Sequence, residues 1–234
     1  MSGVAILSSG SSRPSVRVSC FPLVRRRQPA FVLKELLVVI VVGGALLALL
    51  LLFLDDARRS SKSICCNCNL KQIGLAFKVW AIDHTNSFPM AVSTNTGGSR
   101  ESIATGETFR HYEVMSNELS TPFILVCPND DRKPLKTFGP ALANSNISYF
   151  VGVDARDEAP QMFLAGDRNI AGGRRLPNRI LEVGTNDFIG WGRGIHNGWG
   201  NLALADGSVQ QLKSERLQES LKWTGAATNR LAMP

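Results

Sequence analysis

The stretch AFVLKELLVVIVVGGALLALLLLFL, residues 30–54, decides how this chain is read. From Leu36 to Leu54 it holds 19 residues without a charge. A membrane-crossing helix needs roughly 20 apolar residues. A signal-peptide core is shorter, about 7–15 residues, and ends at a small-residue cleavage site. Here the run leads into LDDARRSSKS, with no A-x-A pattern, so the segment reads as retained. The alternative is a buried helix of a soluble protein, where so long an uninterrupted run is rare. Lys34 and Glu35 stand at the mouth of the run, where a bilayer penalises a carboxylate.

The charge pattern supports an anchor. The net charge is +7, yet residues 1–34 carry Arg13, Arg17, Arg25, Arg26, Arg27 and Lys34 with no acid, leaving 20 basic and 19 acidic residues elsewhere. A nucleic-acid reader needs its basic patch on the folded part, so no nucleic-acid partner is expected. A basic segment before an apolar run follows the positive-inside rule: N-terminus cytoplasmic, the bulk of the chain across the membrane.

Beyond the apolar run the helix is expected to continue. In SKSICCNCNLKQIGLAFKVWAIDH, the residues Cys66, Leu70, Ile73, Phe77 and Trp80 recur in steps of four and three, one helical stripe, with Lys62, Lys71, Gln72 and Lys78 off it. DHTNSFP, with Pro89, ends the helix. From Phe31 to His84 the rise is about 80 Å at 1.5 Å per residue.

The arrangement Arg25-Arg26-Arg27, Ala30, Phe31, Glu35 and ELLVVI resembles the N-terminal signature of type IV pilins and type II secretion pseudopilins. That resemblance implies cleavage of a leader, residues 1–30, between Ala30 and Phe31 by a prepilin peptidase-methylase, and N-methylation of Phe31. The freed amine has an ordinary pKa near 8. Glu35 lies one helical turn away on the same face. In an assembled fibre the family's carboxylate pairs with the amine of a neighbouring subunit. Because an unpaired charge in apolar surroundings is costly, the pair sets axial register. The alternative for Glu35 is a carboxylate snorkelling to the headgroups. Ala30 stands where Gly is usual, Lys34 where an apolar residue is usual, and Leu52 where many members carry Pro. No proline kink is therefore expected, and Gly43-Gly44 is the weak point of the helix.

A second motif lies far downstream. HNGWGNLALADGSV places His196 ten residues before Asp206, with Gly207 next, and looks like the prepilin-associated H-X9-DG signature of one pseudopilin branch. The fold implied is α+β and pilin-like: a long N-terminal transmembrane and amphipathic helix packed on a small antiparallel β-sheet domain. The segments are the leader 1–30, a transmembrane half 31–56, an amphipathic half 57–85 and a globular head 86–234.

Within the head, residues 91–110 are rich in Ser, Thr and Gly and read as a surface loop. Short apolar runs follow: FILV before Cys127, ISYFVGV at 147–153, QMFLAG at 161–166 and NLALA at 201–205. NLALADGSVQQL reads as a hairpin with Asp206-Gly207 in a two-residue type I′ turn. The rival reading of Asp206 is a calcium ligand, poorly supported by one acid where 6–8 oxygens are wanted. His196 is expected to cap or pin the hairpin loop. SERLQESLKW reads as a short helix and the last element, with Gly225 beyond as a stop.

Cys20 falls in the leader, leaving Cys65, Cys66, Cys68 and Cys127 in an oxidising space. The resemblance aligns Cys66 with the family's helix cysteine and Cys127 with its C-P-x-D cysteine, which makes them the disulfide candidates. Cys65 and Cys68 are left free or paired between subunits. A zinc site built from all four is the remaining alternative, disfavoured because a helix cannot aim adjacent cysteines at one ion.

The leading expectation is a structural subunit, not an enzyme, with no cofactor and no metal. It would be a single-pass inner-membrane protein with a periplasmic head, entering a fibre after processing. Its implied partners are homologous pilin or pseudopilin subunits, the peptidase-methylase, an inner-membrane assembly platform and membrane lipid. The rival is a signal-anchored periplasmic binding or enzymatic domain using His84, His111 or His196. No G-x-S-x-G, H-E-x-x-H or Walker motif accompanies those histidines.

Overall fold

The computed structural model describes residues 33–234, the side chains of 55–60 excepted. Ala30, Phe31 and the leader lie outside the described residues. The chain divides into two compact units at Leu49/Leu50. Helix α1, Leu33–Asp83, begins in the first and ends in the second, with Glu35 in its first turn. Its stretch Leu33–Leu54 is long and apolar enough to cross a membrane, and none of it is buried.

In the second unit the expected stripe on α1 is present. Cys66, Leu70, Ile73, Phe77 and Trp80 are all buried, joined by Ala76 and Ala81. The helix ends at Asp83, where Thr85 and Asn86 turn into left-handed backbone. The opposite side of the same helix segment is also apolar. Ile64, Leu75, Val79 and Ile82 are 61, 63, 42 and 72 % exposed, and their spacing puts them about half a turn from the buried stripe.

The sheet is larger than the small one expected. The strands are β1 Tyr149–Gly152, β2 Phe163–Asp167, β3 Ile170–Gly172, β4 Arg174–Arg175, β5 Ile180–Gly184, β6 Ile189–Trp191, β7 Trp199–Leu204, β8 Val209–Lys213 and β9 Thr228–Ala232. Seven of them form one antiparallel sheet in the order β4-β5-β9-β1-β2-β7-β8, and β3 pairs with β6 separately. Both faces of the large sheet are covered, which is why β1 and β2 are buried at every position. Tyr149 and Val151 pack with the α1 stripe, whereas Phe150 packs with Leu217 and Leu221 of helix α5, Ser214–Trp223.

Several local expectations are corrected. Helix α5 forms as read, with Gly225 left-handed beyond it, but it is not the last element. Strand β9 follows and slots between β5 and β1, pairing Leu231 with Leu181 and Ala232 with Val151. The run FILV is no strand. Pro122 opens a 3-10 turn, Pro122–Leu125, and the Thr121 hydroxyl accepts from the Phe123 amide. The region read as a surface loop is ordered by a 3-10 turn at Thr94–Thr96, helix α2 Ser102–Thr105 and the start of helix α3 Phe109–Glu113. Much of it is exposed, as a surface segment should be, but Ser99 and Thr108 are fully buried, and the Thr108 hydroxyl donates to the Met233 carbonyl at 3.0 Å. Helix α4, Ser116–Leu119, completes this cover.

Candidate functional site

His196 opens a tight turn. Asn197 and Gly198 both have positive φ, 52° and 87°, and the Trp199 amide donates to the His196 carbonyl at 3.2 Å. Two left-handed central residues are the type I′ pattern, and Asn-Gly is its strongest sequence signal. The expected type I′ turn at Asp206-Gly207 is therefore misplaced by one hairpin. At that tip only Gly207 is left-handed. Its amide donates to the Leu204 carbonyl at 2.9 Å, and the Leu204 amide donates to the Ser208 carbonyl at 2.9 Å. This is a three-residue loop closed by a left-handed glycine. The Asp206 carboxylate accepts from the Ser208 amide at 2.8 Å, an Asx turn that fits the bland role of this residue.

His196 does not cap that loop. It stands before β7, while Asp206 and Gly207 stand after it, so the motif residues sit at opposite ends of one strand. The imidazole points inward. Nε2 lies 3.3 Å from Cys127 Sγ, 3.2 Å from the Asn201 amide nitrogen and 3.4 Å from Asp167 Oδ2. Nδ1 lies 3.2 Å from the Asn129 amide nitrogen. Cys127 is bonded to Cys66 with an S–S distance of 2.09 Å, and both cysteines are fully buried. Cys65 and Cys68 are exposed thiols, so the four cysteines do not converge.

Gly207, at the other end of β7, rests on α1. A Cβ added to Gly74 would meet Gly207 Cα and O at 3.5 Å. The two ends of the H-X9-DG segment thus both bear on the helix, one through the Cys66–Cys127 bond and one through a glycine–glycine contact. Cys66 and Gly74 are eight residues apart in sequence.

The interior around His196 is polar and closely satisfied on one side. Asp167 Oδ2 accepts from the Asn201 backbone amide at 2.7 Å and its side-chain amide at 2.9 Å, while Oδ1 is buried without a hydrogen-bond partner among the described residues. Burial pushes the Asp167 carboxyl up to about 7, and burial pushes the His196 imidazolium down. Below about pH 7 Asp167 is therefore mostly protonated, and its 3.4 Å contact with His196 is not a full ion pair. Nearby, burial pushes the Asp130 carboxyl up, but Arg168, Ser148 and Arg132 together outweigh it and the net shift is downward. Arg168 donates twice, from Nε and Nη2, both at 2.7 Å. Asp130 is thus the acid of this interior that stays charged, while Asp167 keeps its proton up to about pH 7.

Cys66, Cys127 and His196 hold their ligand atoms within 4.8 Å of one another. Sulfurs tied in a disulfide carry no thiolate charge, so in the bonded state only the imidazole remains as a ligand. The other histidines sit in separate surroundings. His84 stacks on Trp80 with ring centroids 3.5 Å apart, and buried His111 bonds Ser99 at 2.7 Å. Sequence reasoning missed Asp167, Asn201, Asn129 and Asp130 as the surroundings of His196, because the strand pairing that gathers them is long-range. The Asn197-Gly198 turn was legible in the dipeptide itself. No known protein family, curated protein or solved structure matches this chain.

Proposed function

We propose that the chain is a pseudopilin-like structural subunit of a type II secretion-like or type IV pilus-like fibre, cleaved before Phe31, N-methylated there, and assembled through its N-terminal helix. The observation that carries this reading is the character of α1. An unburied apolar stretch, Leu33–Leu54, opens with Glu35 in its first turn, and the same helix later supplies the core stripe of a folded α+β unit. The exposed residues Leu75, Val79 and Ile82 add a second apolar face, suited to packing against copies of the chain. In this reading the chain is a single-pass membrane protein with its head on the periplasmic side. Its partners are like subunits, the peptidase-methylase, an assembly platform and lipid.

Intact-mass measurement of the native membrane protein tests the proposal. A chain beginning at N-methylated Phe31 is the expected result. A chain beginning at Met1, with fibre yield unchanged by Glu35→Gln, overturns it.

A further inference from the structure

A groove of 1010 Å³ lies in the second unit between α1, the turn that carries His196, and β8 at the edge of the sheet. Its lining includes Lys62, Lys71 and Arg193, all exposed, and no Asp or Glu among the described residues. None of the three cations takes part in an ion pair among the described residues, whereas Arg168, Arg174, Arg216 and Arg230 each hold a carboxylate. Uncompensated charges of one sign in a concave surface concentrate the field and attract counter-ions. Lys62 and Lys71 are nine residues apart on α1, about 13 Å along its axis and half a turn around it, yet both line the groove. Cations that far apart suit a ligand with repeated charges better than a single small anion.

The rest of the lining narrows the class. Trp199 is 40 % exposed, and the Lys213 ammonium sits over its ring, 4.9 Å from the centroid. The Asn197-Gly198 turn is what brings Trp199 to the groove while His196 turns inward. Asn67, Asn129 and Gln211 add amides to the lining, and Gln211 also bonds Ser63 of α1 at 2.5 Å. An aromatic platform offers apolar area at low entropic cost, and side-chain amides pair with hydroxyls. A pyranose ring presents both an apolar CH face and hydroxyls. An acidic peptide presents neither in repeat.

We propose that this groove binds an acidic polysaccharide, its sugar ring seated on Trp199 and its carboxylates met by Lys62, Lys71 and Arg193. The groove is formed within a single chain, by α1, the turn after His196 and β8.

The test is a titration of the full chain in detergent micelles with an oligogalacturonate of defined length, alongside a neutral maltodextrin of equal length, poly-glutamate and oligo(dT). The expected result is saturable binding of the oligogalacturonate alone, weakened by salt. Trp199→Ala and Lys71→Glu should each weaken it roughly tenfold or more, about 1.4 kcal/mol. Trp199→Phe keeps an aromatic face and should retain most of the affinity, and Lys222→Glu on α5 should retain all of it. Thermal midpoints of the variants separate lost binding from lost folding. No binding of oligogalacturonate, equal binding of maltodextrin, equal or tighter binding of poly-glutamate or oligo(dT), or folded Trp199→Ala and Lys71→Glu variants with undiminished affinity would each overturn the proposal.

Discussion

Gly74 of the helix and Gly207 of the β7–β8 hairpin face each other so closely that a Cβ on Gly74 would stand 3.5 Å from the Gly207 backbone. That distance is ordinary van der Waals contact, so Gly74→Ala fits, and removing a mid-helix glycine gains up to about 1 kcal/mol. Gly74→Leu has no such room and should cost roughly 1–3 kcal/mol through overpacking. Gly207→Ala keeps the contact but places a side chain at φ 85°, costing about 1–2 kcal/mol. Urea midpoints of the full chain in detergent, read by tryptophan fluorescence, should rank them Gly74→Ala highest and Gly74→Leu lowest.

The Cys66–Cys127 bond ties α1 to the segment after the 3-10 turn, across 61 residues of sequence. Cys127→Ser should lower stability by about 2–4 kcal/mol, the usual range for a native disulfide. It also alters the sulfur beside His196. Cys65→Ser and Cys68→Ser, at exposed positions, should change the thermal midpoint little. Reductant should lower the wild-type midpoint and leave that of Cys127→Ser in place.

His111 is buried, and burial pulls its pKa down to about 4. Between pH 4 and its unfolded value near 6.5, the unfolded chain binds a proton that the folded chain refuses, so this group's contribution falls as pH falls through that window. The loss is on the order of 3 kcal/mol at the acid end. His111→Gln should flatten that side of the stability–pH curve measured by urea titration.

Asp167 works with the opposite sign. Its folded pKa is raised to about 7, so between the unfolded value near 3.8 and pH 7 the folded chain holds a proton that the unfolded chain has released. Its contribution is therefore present at acid pH and lost as pH rises to about 7. Asp167→Asn should make stability fall less from pH 4 to pH 7. Because the two windows overlap, the wild-type curve is flatter than either group alone dictates, and each variant should expose the other group's slope.

If the chain assembles as proposed, the exposed apolar side of α1 should matter to assembly and not to folding. Leu75→Asp or Ile82→Asp adds a charge at a position 63 or 72 % exposed, so the thermal midpoint of the head should shift little. Fibre yield from cells expressing either variant should drop, as a desolvated charge at a packed face is costly. Unchanged yield would remove this face from the assembly account.

What could be read directly was whatever the chain encodes in short periods. The apolar run through Leu54, the stripe from Cys66 to Trp80 and the pair Leu217/Leu221 on α5 are local patterns, because a helix repeats within the span of one turn. Three of the four short apolar runs became β1, β2 and β7 for the same reason, while Pro122 converted the fourth to a 3-10 turn. Tertiary structure alone decided the rest. Strand β9 has little apolar alternation of its own and gains its place from partners about 50 and 80 residues earlier in the chain, β5 and β1. His196 and Gly207 are eleven residues apart, yet Gly207 meets Gly74 of α1 and His196 meets Cys127, itself bonded to Cys66 of α1. Strand pairing and burial are settled by which surfaces meet, and no local period records that.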